Sequence, residues 1–137
     1  MPARLDHVTV VTDHFEASRS VYEPVLAALG LIASVEYTDP EAEQADPGEV
    51  AAAGFGQPDG RPLLWLVAGL VPTTGAHVAL AASDRSAVQD AHRAALAAGA
   101  RVVQPPRAWE EAQLHYYGAQ FADPAGNLIE VVHQAGC

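Results

Sequence analysis

Only one cysteine occurs in this chain of 137 residues, and it is the last residue, Cys137. An intramolecular disulfide is therefore excluded, which fits a reducing compartment and an expected cytoplasmic location. Basic residues are also scarce: 7 Lys and Arg stand against 17 Asp and Glu, a formal net charge of −10. A surface of that sign repels phosphate backbones and anionic lipid, so neither nucleic acid nor a membrane surface is expected as partner. No apolar run approaches the ~18 residues of a membrane span. The opening MPARLDHVTV has no apolar segment after a charged start, so no signal peptide is expected.

What is present is one domain's worth of chain with a substantial apolar share, 50%. Leu5 to Val11 alternates and reads as a strand. Asp13 with Glu16 resembles a capping box, and Phe15, Tyr22, Val25, Leu26 and Leu29 then recur at helical spacing up to Gly30. Pro24 is expected to kink this helix near Glu23. Leu31 to Thr38, Val50 to Phe55 and Leu63 to Ala68 read as strands, with an acidic, proline-containing loop at 39–49. The order then restarts. Gly75 to Ala82 is strand-like, Asp84 to Ala98 is an alanine-rich helix, and Arg101 to Gln104 is a short strand stopped by Pro105 and Pro106. Tyr116 to Ala122 and Leu128 to His133 are strands joined by an Asp-Pro-Ala-Gly turn at 123–126.

Both halves thus read as strand, helix and three strands, with modules at about 4–70 and 74–134. Asp6-His-Val-Thr-Val10 resembles Ala76-His-Val-Ala-Leu80, and each half ends in a proline-glycine turn entering an apolar strand. Period-two alternation gives every strand an apolar face and a mixed face. His7, Thr9, His77, Tyr116, Gln120 and Glu130 all fall on mixed faces, pointing away from the helices. Two imidazoles and a carboxylate suit a first-row divalent metal with coordination positions left open. A strand histidine standing alone is more often a hydrogen-bonded structural residue; the repeat is what favours a site here. His133 falls on the opposite face from Glu130 and is not expected to ligate.

These features resemble the vicinal oxygen chelate superfamily, which includes glyoxalase I, extradiol dioxygenases, fosfomycin-resistance proteins and bleomycin-binding proteins. The stretch from Tyr116 through the Asp-Pro-Ala-Gly-Asn turn to Glu130 carries the resemblance most specifically, with Asp6-His7, the following helix and Gly75-Ala-His77 in support. The resemblance implies an α+β fold: two repeated βαβββ modules forming a partly closed mixed sheet, helices outside, the whole of 1–137 being one domain. It implies a divalent metal (Fe, Mn, Zn, Ni or Co) on His7, His77 and Glu130, and a homodimer. Glyoxalase I adds a fourth ligand, a glutamate, at the position of Trp65; tryptophan cannot ligate, which points to three-ligand relatives. Fosfomycin-type activity would need a cationic wall, for which only Arg61, Arg101 and Arg107 are placed.

The expected function is Lewis-acid chemistry on a small oxygen-chelating substrate, as a lyase, isomerase or ring-cleaving dioxygenase. Tyr116 and His115 are the candidate proton-transfer groups, each with an alternative as a wall ring or a loop residue. Thr9, Trp65 and Gln120 are candidate substrate contacts. The competing expectation is a metal-free, bleomycin-resistance-like binding protein using an acidic surface and an aromatic groove.

Overall fold

The computed structural model describes residues 6–38, 50–69, 75–109 and 116–134. Their order is β1 (Val8–Thr12), α1 (Phe15–Ala28), β2 (Ile32–Thr38), β3 (Val50–Gly56), β4 (Pro62–Ala68), β5 (His77–Ala81), α2 (Arg85–Ala97), β6 (Arg101–Trp109), β7 (Tyr116–Ala122) and β8 (Leu128–Gln134). The two βαβββ modules are present as expected. Their strands form two four-stranded sheets, β1-β4-β3-β2 and β5-β8-β7-β6, which do not close into a barrel. In each sheet the module's first strand pairs in parallel with its last, and the remaining pairs are antiparallel. The acidic loop at 39–49 lies outside the described residues. No described helix is long and apolar enough to cross a membrane.

The helices end in the same way. Gly30 and Gly99 adopt φ of 84° and 82°. In α1, Gly30 N–H donates to the Ala27 carbonyl and Leu31 N–H to that of Leu26; in α2, Gly99 and Ala100 donate to Leu96 and Ala95. Both are Schellman caps, in which glycine supplies the left-handed turn that satisfies the last carbonyls. The starts differ. Asp84 caps α2 by accepting from Ala87 N–H at 2.8 Å. The capping box expected at Asp13 is not formed, because the Asp13 carboxylate lies 2.7 Å from the His14 ring and α1 has no side-chain cap bond. The helix continues through Pro24 as one element.

One expectation fails usefully. The strand read as stopping at Gln104 continues through Pro105 and Pro106 to Trp109. Because β6 is the sheet's edge, proline can stand there without breaking a ladder bond on its far side. The register shifts between Val102 and Gln104 and again between Gln104 and Arg107, so the strand is bulged twice.

The apolar strand faces pack under the helices. Val10, Leu64 and Leu66 are fully buried in the first module; Phe121, Ile129 and Val131 are 1% exposed or less in the second. The two helices also pack against each other. Buried polar groups lock the halves together. The Tyr22 hydroxyl donates to Asp123 Oδ2 at 2.8 Å, across 101 positions of sequence. Asp123 also accepts from the backbone N–H groups of Ala125 and Asn127 and from the Asn127 amide. Asn127 in turn donates to the Val11 carbonyl of β1 and accepts from Ala76 N–H.

Burial, and then the neighbouring carboxylate, push the Tyr22 hydroxyl far above its ordinary value of 10.0. The folded state therefore keeps a proton that the unfolded chain gives up. This contribution to stability is complete below about pH 10 and is lost as pH rises beyond it. Melting temperatures measured from pH 8 to 11.5 should show a steeper alkaline fall for the wild type than for Tyr22→Phe. At neutral pH that variant should lose about 1–3 kcal/mol in urea titrations. Parallel pH curves for the two proteins would contradict the assignment.

Candidate metal and substrate site

The ladder register decides which side chains meet. In the second sheet, Ala79 stands beside Glu130 and Glu130 opposite Gln120. Gln120 Nε2 donates to Glu130 Oε2 at 2.9 Å, while Glu130 Oε1 lies 3.6 Å from His77 Nε2. The carboxylate is only 13% exposed, whereas the imidazole is 57% exposed. One oxygen is thus held by an amide and the other is turned toward an imidazole. Donors about 2.0–2.2 Å from one tetrahedral ion stand roughly 3.3 Å apart, so this spacing fits one edge of a metal's coordination shell. The amide is the kind of outer partner that orients a ligating carboxylate.

The first sheet carries the corresponding positions with different residues. Thr9 pairs with Trp65, and Trp65 with Gly54, where the second sheet has Ala79, Glu130 and Gln120. The repeat's placement of Trp65 at the position of Glu130 is therefore seen in the register itself. Gly54 stands where Gln120 would be, and a Cβ there would come 3.0 Å from Trp65 Cη2 and 2.9 Å from Pro62 Cγ. The first module carries neither the carboxylate nor its amide at these positions, and an indole packed across a glycine fills the space.

His7 stands one residue before β1. Its Nδ1 is 2.8 Å from Asp6 Oδ2, and the other Asp6 oxygen is engaged by Arg61. The His7 hydrogen bond, then the Arg61 charge, hold the Asp6 carboxyl below its ordinary value. An imidazole whose Nδ1–H is tied to a carboxylate presents Nε2 outward, the arrangement common among metal-binding histidines. The contact of Asp6 with His7 escaped the alternation reading; its adjacency in sequence was the available signal. His7 lines a cleft of about 160 Å³ with Val8 and Leu63 on one side and Val78 to Ala81 on the other.

The structure therefore brings together His77, Glu130 and Gln120, while His7 lines the cleft beside β5 without joining them in one cluster. Among the described residues of one chain, no three His, Cys, Asp or Glu side chains gather closely enough to hold a metal. Thr9 is exposed, and Trp65 is partly buried on the same face. Tyr116 lies on the Glu130 face but four residues along β7 from Gln120, about 13 Å by strand rise. Its ring stacks on Trp109 at 6.0 Å between centroids. His115 lies outside the described residues. His133 faces away from Glu130 and contacts the Ala82 carbonyl at 3.2 Å.

A family model for the Glyoxalase/Bleomycin resistance protein/Dioxygenase superfamily matches residues 4–131. The chain belongs to this superfamily. A glyoxalase/bleomycin resistance protein from Albidiferax ferrireducens superposes with a TM-score of 0.68 at 22% identity, covering 93% of this chain and 96% of that one. A lactoylglutathione lyase from Agrobacterium tumefaciens gives 0.62 at 20% identity, covering 97% and 95%. A glyoxalase I variant from Zea mays gives 0.65 at 21% identity, covering 93% of this chain and 46% of that one. At these identities the likeness extends to the fold. Comparison with curated proteins finds no match.

The Gly54–Trp65 packing is directly testable. Gly54→Ala should force the indole or Pro62 to move, shifting tryptophan emission and near-ultraviolet circular dichroism and costing about 1–3 kcal/mol. Unchanged spectra and stability would show that the indole does not depend on that glycine.

Proposed function

We propose that this superfamily member is a metalloenzyme acting on a small oxygen-chelating substrate, of lyase, isomerase or ring-cleaving dioxygenase type. The observation that carries the reading is the Glu130 carboxylate, fixed by Gln120 on one oxygen and facing His77 with the other. A mostly buried carboxylate is costly without charge compensation, and an exposed neighbouring imidazole gives an ion a second donor and a path from solvent. His77 and Glu130 would hold the metal together with His7, whose Nδ1 is already engaged by Asp6. When bound, a divalent ion supplies Lewis-acid stabilisation of a developing oxygen anion.

The chain's own residues do the rest. Gln120 keeps Glu130 in one rotamer, and Asp6 with Arg61 does the same for His7. Thr9 offers a hydroxyl and Trp65 an apolar wall. Tyr116, far along β7, donates to a remote oxygen of the substrate, and His115, the residue before it in sequence, remains the candidate proton carrier.

The third ligand is proposed to come from a second copy. His7 belongs to the first module and the His77–Glu130 pair to the second, and β1 and β5 are both sheet edges with one side unpaired among the described strands. A homodimer can pair the first module of each copy with the second module of the other, completing two equivalent sites.

Titration calorimetry with Ni²⁺, Mn²⁺ and Zn²⁺ should show uptake of one ion per chain. His77→Ala and Glu130→Gln should abolish it, and Gln120→Leu should weaken it by about 10–100-fold. Absence of uptake by the wild type, with ligand binding intact in His77→Ala, would favour a metal-free binding protein instead. Light scattering should give twice the 14.3 kDa chain mass. Mixing His7→Ala with Glu130→Gln chains should restore about a quarter of wild-type metal sites, because half the dimers are hybrids with one intact site. A monomer, or no restoration on mixing, would contradict the shared site.

A further inference from the structure

The bulged edge strand places a cation on the site's own face. Gln104 stands opposite Gln120, Arg107 opposite Gly118 and Trp109 opposite Tyr116. In a regular strand, residues three apart point to opposite sides. The register shift at Pro105 and Pro106 cancels that alternation, so Gln104, Arg107 and Trp109 share the face that carries Glu130, a known use of bulges in re-aiming side chains. The Arg107 guanidinium carbon lies over the Trp109 ring, 3.5 Å from its centroid, and Trp109 stacks on Tyr116. Gly118 separates Arg107 from the Glu130 row. A Cβ there would meet Val132 Cγ1 at 2.9 Å and Tyr116 Cε2 at 3.4 Å, so these two side chains close over the strand as an apolar floor.

We infer that Arg107 is the specificity-determining residue for a planar carboxylate substrate, whose anionic end it binds while Trp109, Tyr116 and Val132 receive the flat part. The assignment rests on the function proposed above for the position of the reacting end at His77 and Glu130. Three observations carry it. An indole 3.5 Å from the guanidinium carbon holds the charged end of Arg107 on this face, and arginine is the side chain whose paired N–H groups suit bidentate carboxylate binding. Two strand spacings and two residues separate the Arg107 and Glu130 Cα atoms, roughly 12 Å, which a small aromatic acid spans once both side chains reach inward. Finally, in a chain of net charge −10, Arg107 is a half-buried and stacked cation on this face, whereas Arg101, opposite Ala122 at the far end of the strand, is exposed.

The test uses 3,4-dihydroxybenzoate, a planar acid whose adjacent oxygens lie at the end opposite its carboxylate, and its uncharged methyl ester as probes of the full-length protein, with and without Ni²⁺, by titration calorimetry. The wild type should bind the acid at least about tenfold more tightly than the ester, as a charge-assisted bidentate contact implies. Arg107→Gln should remove that preference without weakening ester binding. Arg107→Lys, which keeps the charge without the fork, should recover part of it and serves if the glutamine variant folds poorly. Arg101→Gln should leave the preference intact. Equal binding of acid and ester, no binding of the acid, an unchanged preference in Arg107→Gln, or loss of preference in Arg101→Gln would each overturn the assignment. Titration with Ni²⁺ alone separates the two proposals. Acid preference without metal uptake would remove the proposed function and leave Arg107 standing; metal uptake without acid preference would do the reverse.

Discussion

The register between β7 and β8 is the constraint on which the rest depends. It places Gln120 directly opposite Glu130, and the 2.9 Å amide–carboxylate bond follows from that pairing. A one-residue slip would turn Glu130 into the apolar layer and Ile129 outward. What prevents the slip is the core on one face and the Asp123 turn on the other side of the hairpin. Phe121, Ile129 and Val131 are buried beneath α2, and Asp123 accepts backbone and side-chain donors that close the turn before β8 starts. The same carboxylate receives Tyr22 from the first module. The packing that sets the site's register is thereby tied to the contact between the halves.

Comparing the two modules shows how a repeated fold acquires one set of donors rather than two. The parallel pairs β1–β4 and β5–β8 have equivalent registers, and the glycine turns that end α1 and α2 make the same two bonds. The divergence is concentrated where Gly54 and Trp65 replace the amide and the carboxylate. Neither replacement is independent, because the indole occupies the volume that a side chain at position 54 would need. The first module has a histidine at the matching position but gives the remaining space to an apolar surface.

Much of this was legible beforehand, for identifiable reasons. Alternation in β7 and β8 was strong enough to put Gln120 and Glu130 on one face, and the two opening strands with a histidine in second place marked the repeat. What escaped were features decided by tertiary position. Pro105 and Pro106 read as a stop because their tolerance depends on β6 being an edge, which composition does not reveal. Arg107 and Trp109 therefore had no assigned face. Asp13 looked like a helix cap, but its carboxylate went to the adjacent imidazole instead. The Tyr22–Asp123 bond joins residues too distant in sequence for any local pattern to show. The convergence of His7 with His77 and Glu130 was expected from the resemblance; within one chain only the latter two are in reach of each other.

X-ray absorption at the nickel edge of the metal-loaded protein tests the central claim most directly, since it counts the imidazoles bound to the ion. The account predicts two imidazole nitrogens together with carboxylate oxygen, and loss of one imidazole in the His7→Ala protein. A spectrum with a single imidazole in the wild type, or one that His7→Ala leaves unchanged, would contradict a site built from both modules.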